Sequence, residues 1–374
     1  MKEAVPQKVS VAELFYDLIF VYAIRRISHL IIQVDRFDRI PFQLLGEFAL
    51  FILIFWSIWT YQTVYNNRFF QPHLPFYLFL FMNMFFVAVL SQSIDTNLAK
   101  SFFTFAGGTT LLFASIALQF LLKYLESANE AVKKLCKYIC MSLLPAVLLG
   151  LISLFLPAPF NYVVYLVAVL FAAFTPLAYG QVLTAVPTKF SHLTERYSLF
   201  MILLFGESII SMTQTIDPHH ITLESLFFFL IIVLLFAFYM VMYTSGINHH
   251  LKTNGLTMMH THLFLFLSVG IMSALLDLYI HTPLDPLFFF SLFFISLLAF
   301  ILSVLSNLKA YHKARIVYTK KTSRINVGII LIGGLISFLV RKDTLMMLFV
   351  ITVMLLYAVY DLYVHVIMRG KKHY

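Results

Sequence analysis

The chain has 374 residues, 61% of them hydrophobic and only 11% charged, with a mean hydropathy of +0.90 and a formal net charge of +9. A soluble domain carries about 45–50% apolar and about 25% charged residues, so the composition excludes a water-soluble globular protein and predicts an all-α integral membrane protein. The positive balance does not predict nucleic-acid binding, because the basic residues fall in short connections between apolar runs, as membrane orientation requires.

Twelve apolar segments follow one another, each near the ~20 residues a helix needs to cross a hydrocarbon core of about 30 Å. The first six run Leu14–Gln33, Phe42–Val64, Leu74–Ser93, Phe102–Tyr124, Tyr138–Leu156 and Tyr162–Leu183. The second six run Tyr197–Thr215, Leu223–Thr244, Leu256–Ile280, Leu287–Leu308, Ile325–Val340 and Leu345–Met368. The eleventh is short and carries Gly328, Gly333 and Gly334, which predict close helix packing and make it the weakest of the set as a full crossing. No cleavage pattern follows the first run, which contains acids, so the first helix is expected to stay in the protein. Cys136 and Cys140, four apart on one helix, suit neither a disulfide nor a metal cage and read as packing residues.

Most Lys and Arg fall on the side of the N-terminus. They comprise Lys2 and Lys8, Arg68, the cluster from Lys123 to Lys137, Lys189 and Arg196, Lys252, the basic stretch Lys309–Arg324 and the tail with Arg369, Lys371 and Lys372. Both termini are therefore expected to be cytoplasmic. The connection Leu125–Lys137 is expected to extend its helix, and Lys309–Arg324 to lie along the anionic leaflet. The closing KKHY reads as a basic anchor for the last helix. No soluble domain is visible, so residues 1–374 read as a single transmembrane domain.

The first segment, within VSVAELFYDLIFVYAIRRISHL, is unusual because it holds Glu13, Asp17, Arg25, Arg26 and His29. Even lenient scales charge about 2.5–3.5 kcal/mol for an ionised side chain at the centre of a membrane helix, so this helix must face other helices or water. Glu13 and Asp17 are four apart and share a face. The alternative is interfacial placement, with Glu13 at the helix mouth and the arginines snorkelling. Glu207 sits mid-segment in LLFGESIISM beside Ser208 and needs a partner from another helix, a cation or a proton; Arg25 or Arg26 is the expected partner. Arg196 lies three turns before Glu207, about 16 Å away, too far for direct contact. His262 is the interior-facing choice of MMHTHLFLF, and Asp277 lies late in the same helix.

ELFYDLIFVYAI resembles the ELFFDLVFV-type opening of the bacterial low temperature requirement protein A family, and ERYSLFMILLFGESI, residues 195–209, resembles that family's ERFGLF…LGES segment. The resemblance implies a multipass membrane protein and supplies no substrate. His262 is similar to a family histidine, whereas Arg25 and Arg26 stand where the family commonly has uncharged polar residues.

Aligning Glu13 with Glu195 sets the first helix against the seventh, with His73 and His262 at comparable later positions. Two halves, 1–184 and 185–374, would then form a 6+6 parallel repeat. There is no GxxxxGK[ST] loop, no HExxH pair and no GxSxG elbow. The sequence therefore implies no cofactor and no metal. The leading expectation is a transporter-like protein in which Asp17, Glu207 and His262 serve a proton or monovalent cation coupled to an unknown small solute, its constant partner being the lipid bilayer. The alternative is a membrane-embedded enzyme or a non-transporting envelope or cold-adaptation factor.

Overall fold

The computed structural model describes residues 9–32, 39–95, 98–213, 216, 219, 221–281, 284–314 and 320–368. Lys2, Lys8, the stretch 315–319 of the basic connection and the tail with Arg369 and KKHY lie outside the described residues. The described residues form thirteen α-helices, the ninth and last of which continue into π-helical turns at Met242–Gly246 and Val364–Met368: α1 Val11–Ile32, α2 Phe42–Phe69, α3 Leu74–Gln92, α4 Leu98–Glu126, α5 Glu130–Ser153, α6 Phe160–Ala178, α7 Gly180–Ala185, α8 Phe190–Thr213, α9 Leu223–Val241, α10 Leu256–His281, α11 Pro286–Tyr311, α12 Lys320–Leu339 and α13 Thr344–Tyr363.

Each expected segment coincides with one long helix, and the departures have local causes. The α5 helix begins at Glu130, ahead of its apolar run, because Asn129 accepts from the backbone N–H of Ala131 and Val132 and caps it. The sixth segment is divided into α6 and the short α7. Pro176 has no N–H for the Ala172 carbonyl, which instead accepts the Tyr61 hydroxyl at 2.7 Å. The α8 helix starts at Phe190 rather than Tyr197, so the polar sequence HLTER is helical and extends the apolar span.

Among the described residues, nine helices are long and apolar enough to cross a membrane, where twelve crossings were expected. The three others are α1, α8 and α12. Charged residues lower the apolarity of α1 and α8, and the described side chains of α12 form a shorter apolar stretch, Asn326–Leu339.

The contacts fall into two units. The first contains α1 to Leu30, the chain from Gly46 through α7 to Tyr197 in α8, and the stretch Lys252–Met259. Within it α4 packs on α5, α5 on α6 and α7, and α3 on α4. Gly150 permits the α4–α5 approach, since a Cβ there would collide with Thr110 Oγ1. The second unit holds Ile31–Leu45, Ser198–Leu251 and His260–Tyr374. In it α9 and α12 pack on α13, and α11 on α12. Gly333 and Gly334 face Met354 and Phe294, as the expected packing role requires; a Cβ on Gly333 would lie 2.7 Å from Met354 Sδ. Cys136 and Cys140 are buried free thiols. Large apolar side chains such as Phe85, Leu148 and Leu335 stand outward, 64%, 61% and 60% exposed, which hydrocarbon tolerates and water does not at this density.

Candidate functional site

The site grows from the first turn of α1. Ser10, Val11, Ala12 and Glu13 form a capping box: the Ser10 hydroxyl accepts from the Glu13 N–H at 3.3 Å, and Glu13 Oε2 accepts from the Ser10 N–H at 3.0 Å. The Ser10 hydroxyl proton goes to the same oxygen, also at 3.0 Å. The cap fixes the Glu13 carboxylate over the helix end, and one turn on, Asp17 emerges on the same face.

Arg196 in α8 meets both acids. Its Nη1 donates to Glu13 Oε1 at 3.2 Å and its Nη2 donates to Asp17 Oδ1. The guanidinium also lies 5.2 Å from the centre of the Trp59 ring in α2, whose indole N–H donates to Asp17 Oδ1 at 2.7 Å. Tyr197 closes the edge of Trp59 at 4.8 Å, and its hydroxyl pairs with Thr60 Oγ1 at 3.0 Å. One turn before Arg196, His192 directs Nε2 at Glu13 Oε2, 3.4 Å away, and Nδ1 at Asn67 Nδ2, 3.1 Å away. Glu13, Asp17, His192, Arg196 and Trp59 are all 0% exposed.

Taking ions out of water costs several kcal/mol each, and the cost is met only by close pairing and a full set of hydrogen bonds. A planar guanidinium suits the task because its fork reaches two carboxylates at once. The charges nevertheless do not cancel: two acids face one arginine. Among the described residues Arg196 is the single Arg or Lys within ion-pair reach of either acid. A group so enclosed with an excess of acid is a place where a proton could be taken up or held.

A family model described as Bacterial low temperature requirement A protein (LtrA) matches residues 8–361. The chain belongs to the LtrA family. No curated protein and no solved structure matches it. The two motifs of this LtrA chain that carry the sequence resemblance are the two that meet: ELFYDLIF holds Glu13 and Asp17, and ERYSLF holds Arg196 and Tyr197.

Within the first unit, Arg196 near the start of α8 therefore joins the first turns of α1. Arg196, secondary in the sequence reading, is the centre of the cluster. Glu13 stands in the first turn of α1, capped by Ser10, and is buried. Arg26 donates to the Ile94 carbonyl just past α3 at 3.3 Å, a favourable place for a cation at a helix C-terminus. Arg25 is half-buried in α1. In the second unit Glu207 is half-buried, and Ser208 is buried with its hydroxyl turned back to the Leu204 carbonyl at 3.1 Å. His262 is buried against the Tyr239 hydroxyl at 2.9 Å, and Asp277 accepts from the Ser211 hydroxyl at 2.6 Å. The expected pairing of Glu207 with Arg25 or Arg26 joins residues of different units and stays an expectation.

His192, Trp59 and Asn67 escaped the sequence reading. One signal was there: His192 and Arg196 repeat the four-residue spacing of Glu13 and Asp17 with complementary chemistry. Among the described residues, no group of three or more His, Cys, Asp and Glu is arranged to hold a metal ion.

Proposed function

We propose that this LtrA-family chain is a multipass inner-membrane protein that couples the movement of a proton to an unknown small solute, with the Glu13–Arg196–Asp17 cluster and His192 as its proton site. The observation that carries the reading is the charge imbalance of a cluster wholly withdrawn from solvent. A static clasp is better built from equal charges, or from apolar residues, which are often neutral or stabilising replacements for a buried ion pair. An enzyme centre has to admit its substrate, and these side chains are enclosed. Glu207, Ser208 and Asp277 supply the polar groups of the second unit, where a monovalent cation or the solute would be handled.

The same reading carries twelve crossings, both termini cytoplasmic, and a 6+6 parallel repeat. Its support is that the charges disqualifying α1 and α8 on apolarity are partly spent on each other, so both helices suit a place among other helices. A second reading, a non-transporting membrane factor clasped by the same ions, is favoured by their complete enclosure.

Growth in the cold of a deletion strain complemented with variants tests the proposal. Asp17→Asn should insert and accumulate at the wild-type level yet lose the cold-growth phenotype, and the loss should deepen when external pH is varied. Lowered abundance with no separate growth defect would favour the clasp. Full growth and full abundance of both Asp17→Asn and Glu207→Gln would refute coupling through either acid.

A further inference from the structure

Asn67 determines which nitrogen of His192 faces it as an acceptor. Its Oδ1 accepts the Lys189 backbone N–H at 3.0 Å, and its Nδ2 donates to the Lys189 carbonyl at 3.0 Å, so the side-chain amide has one allowed orientation. The nitrogen facing His192 is therefore a donor, and His192 Nδ1, 3.1 Å away, must be an acceptor with no proton. The single imidazole proton then sits on Nε2 and points at Glu13 Oε2. A second proton on Nδ1 would set N–H against N–H, so His192 is held neutral and cannot balance the acids.

The two acids differ in what surrounds them. Glu13 accepts from the Ser10 N–H, the Ser10 hydroxyl, His192 Nε2 and Arg196 Nη1, which covers both oxygens with donors and leaves no acceptor for a carboxyl proton. Asp17 takes its donors, the Trp59 indole and Arg196 Nη2, on Oδ1 alone. Asp17 Oδ2 is buried with no hydrogen-bond partner among the described residues. The charged and titratable groups around Asp17 are Glu13 and Tyr16 on its own helix and Arg196 and His192 on α8, while α2 offers the non-titrating Trp59. Two carboxylates, one guanidinium and a neutral imidazole leave one negative charge uncompensated.

We propose that the exchangeable proton of the cluster is carried on Asp17 Oδ2, with Glu13 a permanently ionised anchor and Asn67 the residue that keeps His192 from taking the proton instead. This deepens the coupled-transport reading and rests on it for its meaning in transport.

Infrared spectroscopy of the purified full chain in lipid nanodiscs tests the assignment without transport. At neutral pH a carbonyl stretch of a protonated carboxylic acid should be present, shift when the aspartates carry carbon-13 in the side-chain carboxyl, and disappear in Asp17→Asn. Nitrogen-15 NMR should show His192 as the neutral tautomer protonated on Nε2. Asn67→Asp turns the donor facing Nδ1 into an acceptor, so His192 should become doubly protonated and the acid stretch should weaken. A stretch that shifts with labelled glutamate, one that survives Asp17→Asn, its absence from the wild type, or a doubly protonated His192 in the wild type would each overturn the proposal. Should Asp17→Asn fail to fold, the labelling of the wild type still decides. Loss of the stretch in Asp17→Asn with cold growth intact would leave the proton placement standing and refute the coupled reading.

Discussion

Two buried polar clusters share the first unit, and their chemistry is opposite. In one, Gln62 of α2 donates to Asn66 at 2.9 Å and exchanges bonds of 3.1 Å with Gln119 of α4, while Asn83 of α3 donates to Gln62 at 3.0 Å and accepts from Ser115 at 2.6 Å. All its members are neutral amides or hydroxyls, and its bonds join donors to acceptors, with Asn66 Nδ2 left without a partner among the described residues. The ionic cluster of Glu13, Asp17, His192 and Arg196 is as deeply buried, yet it holds more acid than base and leaves Asp17 Oδ2 unpartnered. Cross-linking three helices needs only the first kind. The second costs more desolvation for the same mechanical result, and its excess charge is what the proposed proton coupling would use.

The comparison is broken most forcefully at Arg196. Arg196→Gln leaves two acids facing each other without their cation, and removal of one member of a buried ion pair costs about 3–5 kcal/mol. Thermal unfolding in detergent should show the largest fall of any single change in either cluster. Neutralising the acids as well, with Glu13→Gln and Asp17→Asn, should return most of the loss; a triple variant no better than Arg196→Gln would mean that the arginine acts by packing on Trp59. In the neutral cluster, Asn83→Leu removes the donor to Gln62 and strands the Ser115 hydroxyl, a loss of about 1–3 kcal/mol. It should leave cold growth untouched wherever the protein still accumulates. A growth defect at normal abundance would place the amide network in the functional path and erase the distinction between the two.

Composition and periodicity made the helices legible because a bilayer leaves few other ways to satisfy a backbone, and nearly all the segment boundaries follow. The site was legible in halves. Glu13 and Asp17 stood out as acids in an apolar run, and Arg196 was visible at the mouth of the seventh segment. Their meeting was not, because a window set by apolarity began that segment at Tyr197 and left His192 and Arg196 outside the helix. Glu207 drew attention for its depth in sequence, and the interior of the first unit is instead organised by an arginine that looked peripheral. Asn67 carries no sequence signal at all: its role depends on a backbone amide more than a hundred residues away, at Lys189.

The smallest expected effect sharpens the contrast between histidines. His192 is locked between a carboxylate and an amide donor, whereas His249 lies in the connection after α9, half-buried, with Nε2 donating to the Tyr243 carbonyl at 3.0 Å. Burial, aided by the positive charges of Lys313 and His250, lowers its pKa from the ordinary value of 6.5, while the bond to Tyr243 works the other way. The folded state thus binds a proton at His249 less readily than the unfolded chain does. Its contribution to stability is complete above about pH 6.5, the unfolded value, and is lost as pH falls from there toward the lowered folded value. His249→Gln removes the titrating group while keeping a donor for the Tyr243 carbonyl. Melting temperatures of the variant should therefore fall less steeply than those of the wild type on the acid side of neutrality and run parallel to them above it. Equal acid slopes would show that His249 does not report its surroundings. The acid sensitivity of the protein would then have to come from elsewhere, with Asp17 and its neighbours the first place to look.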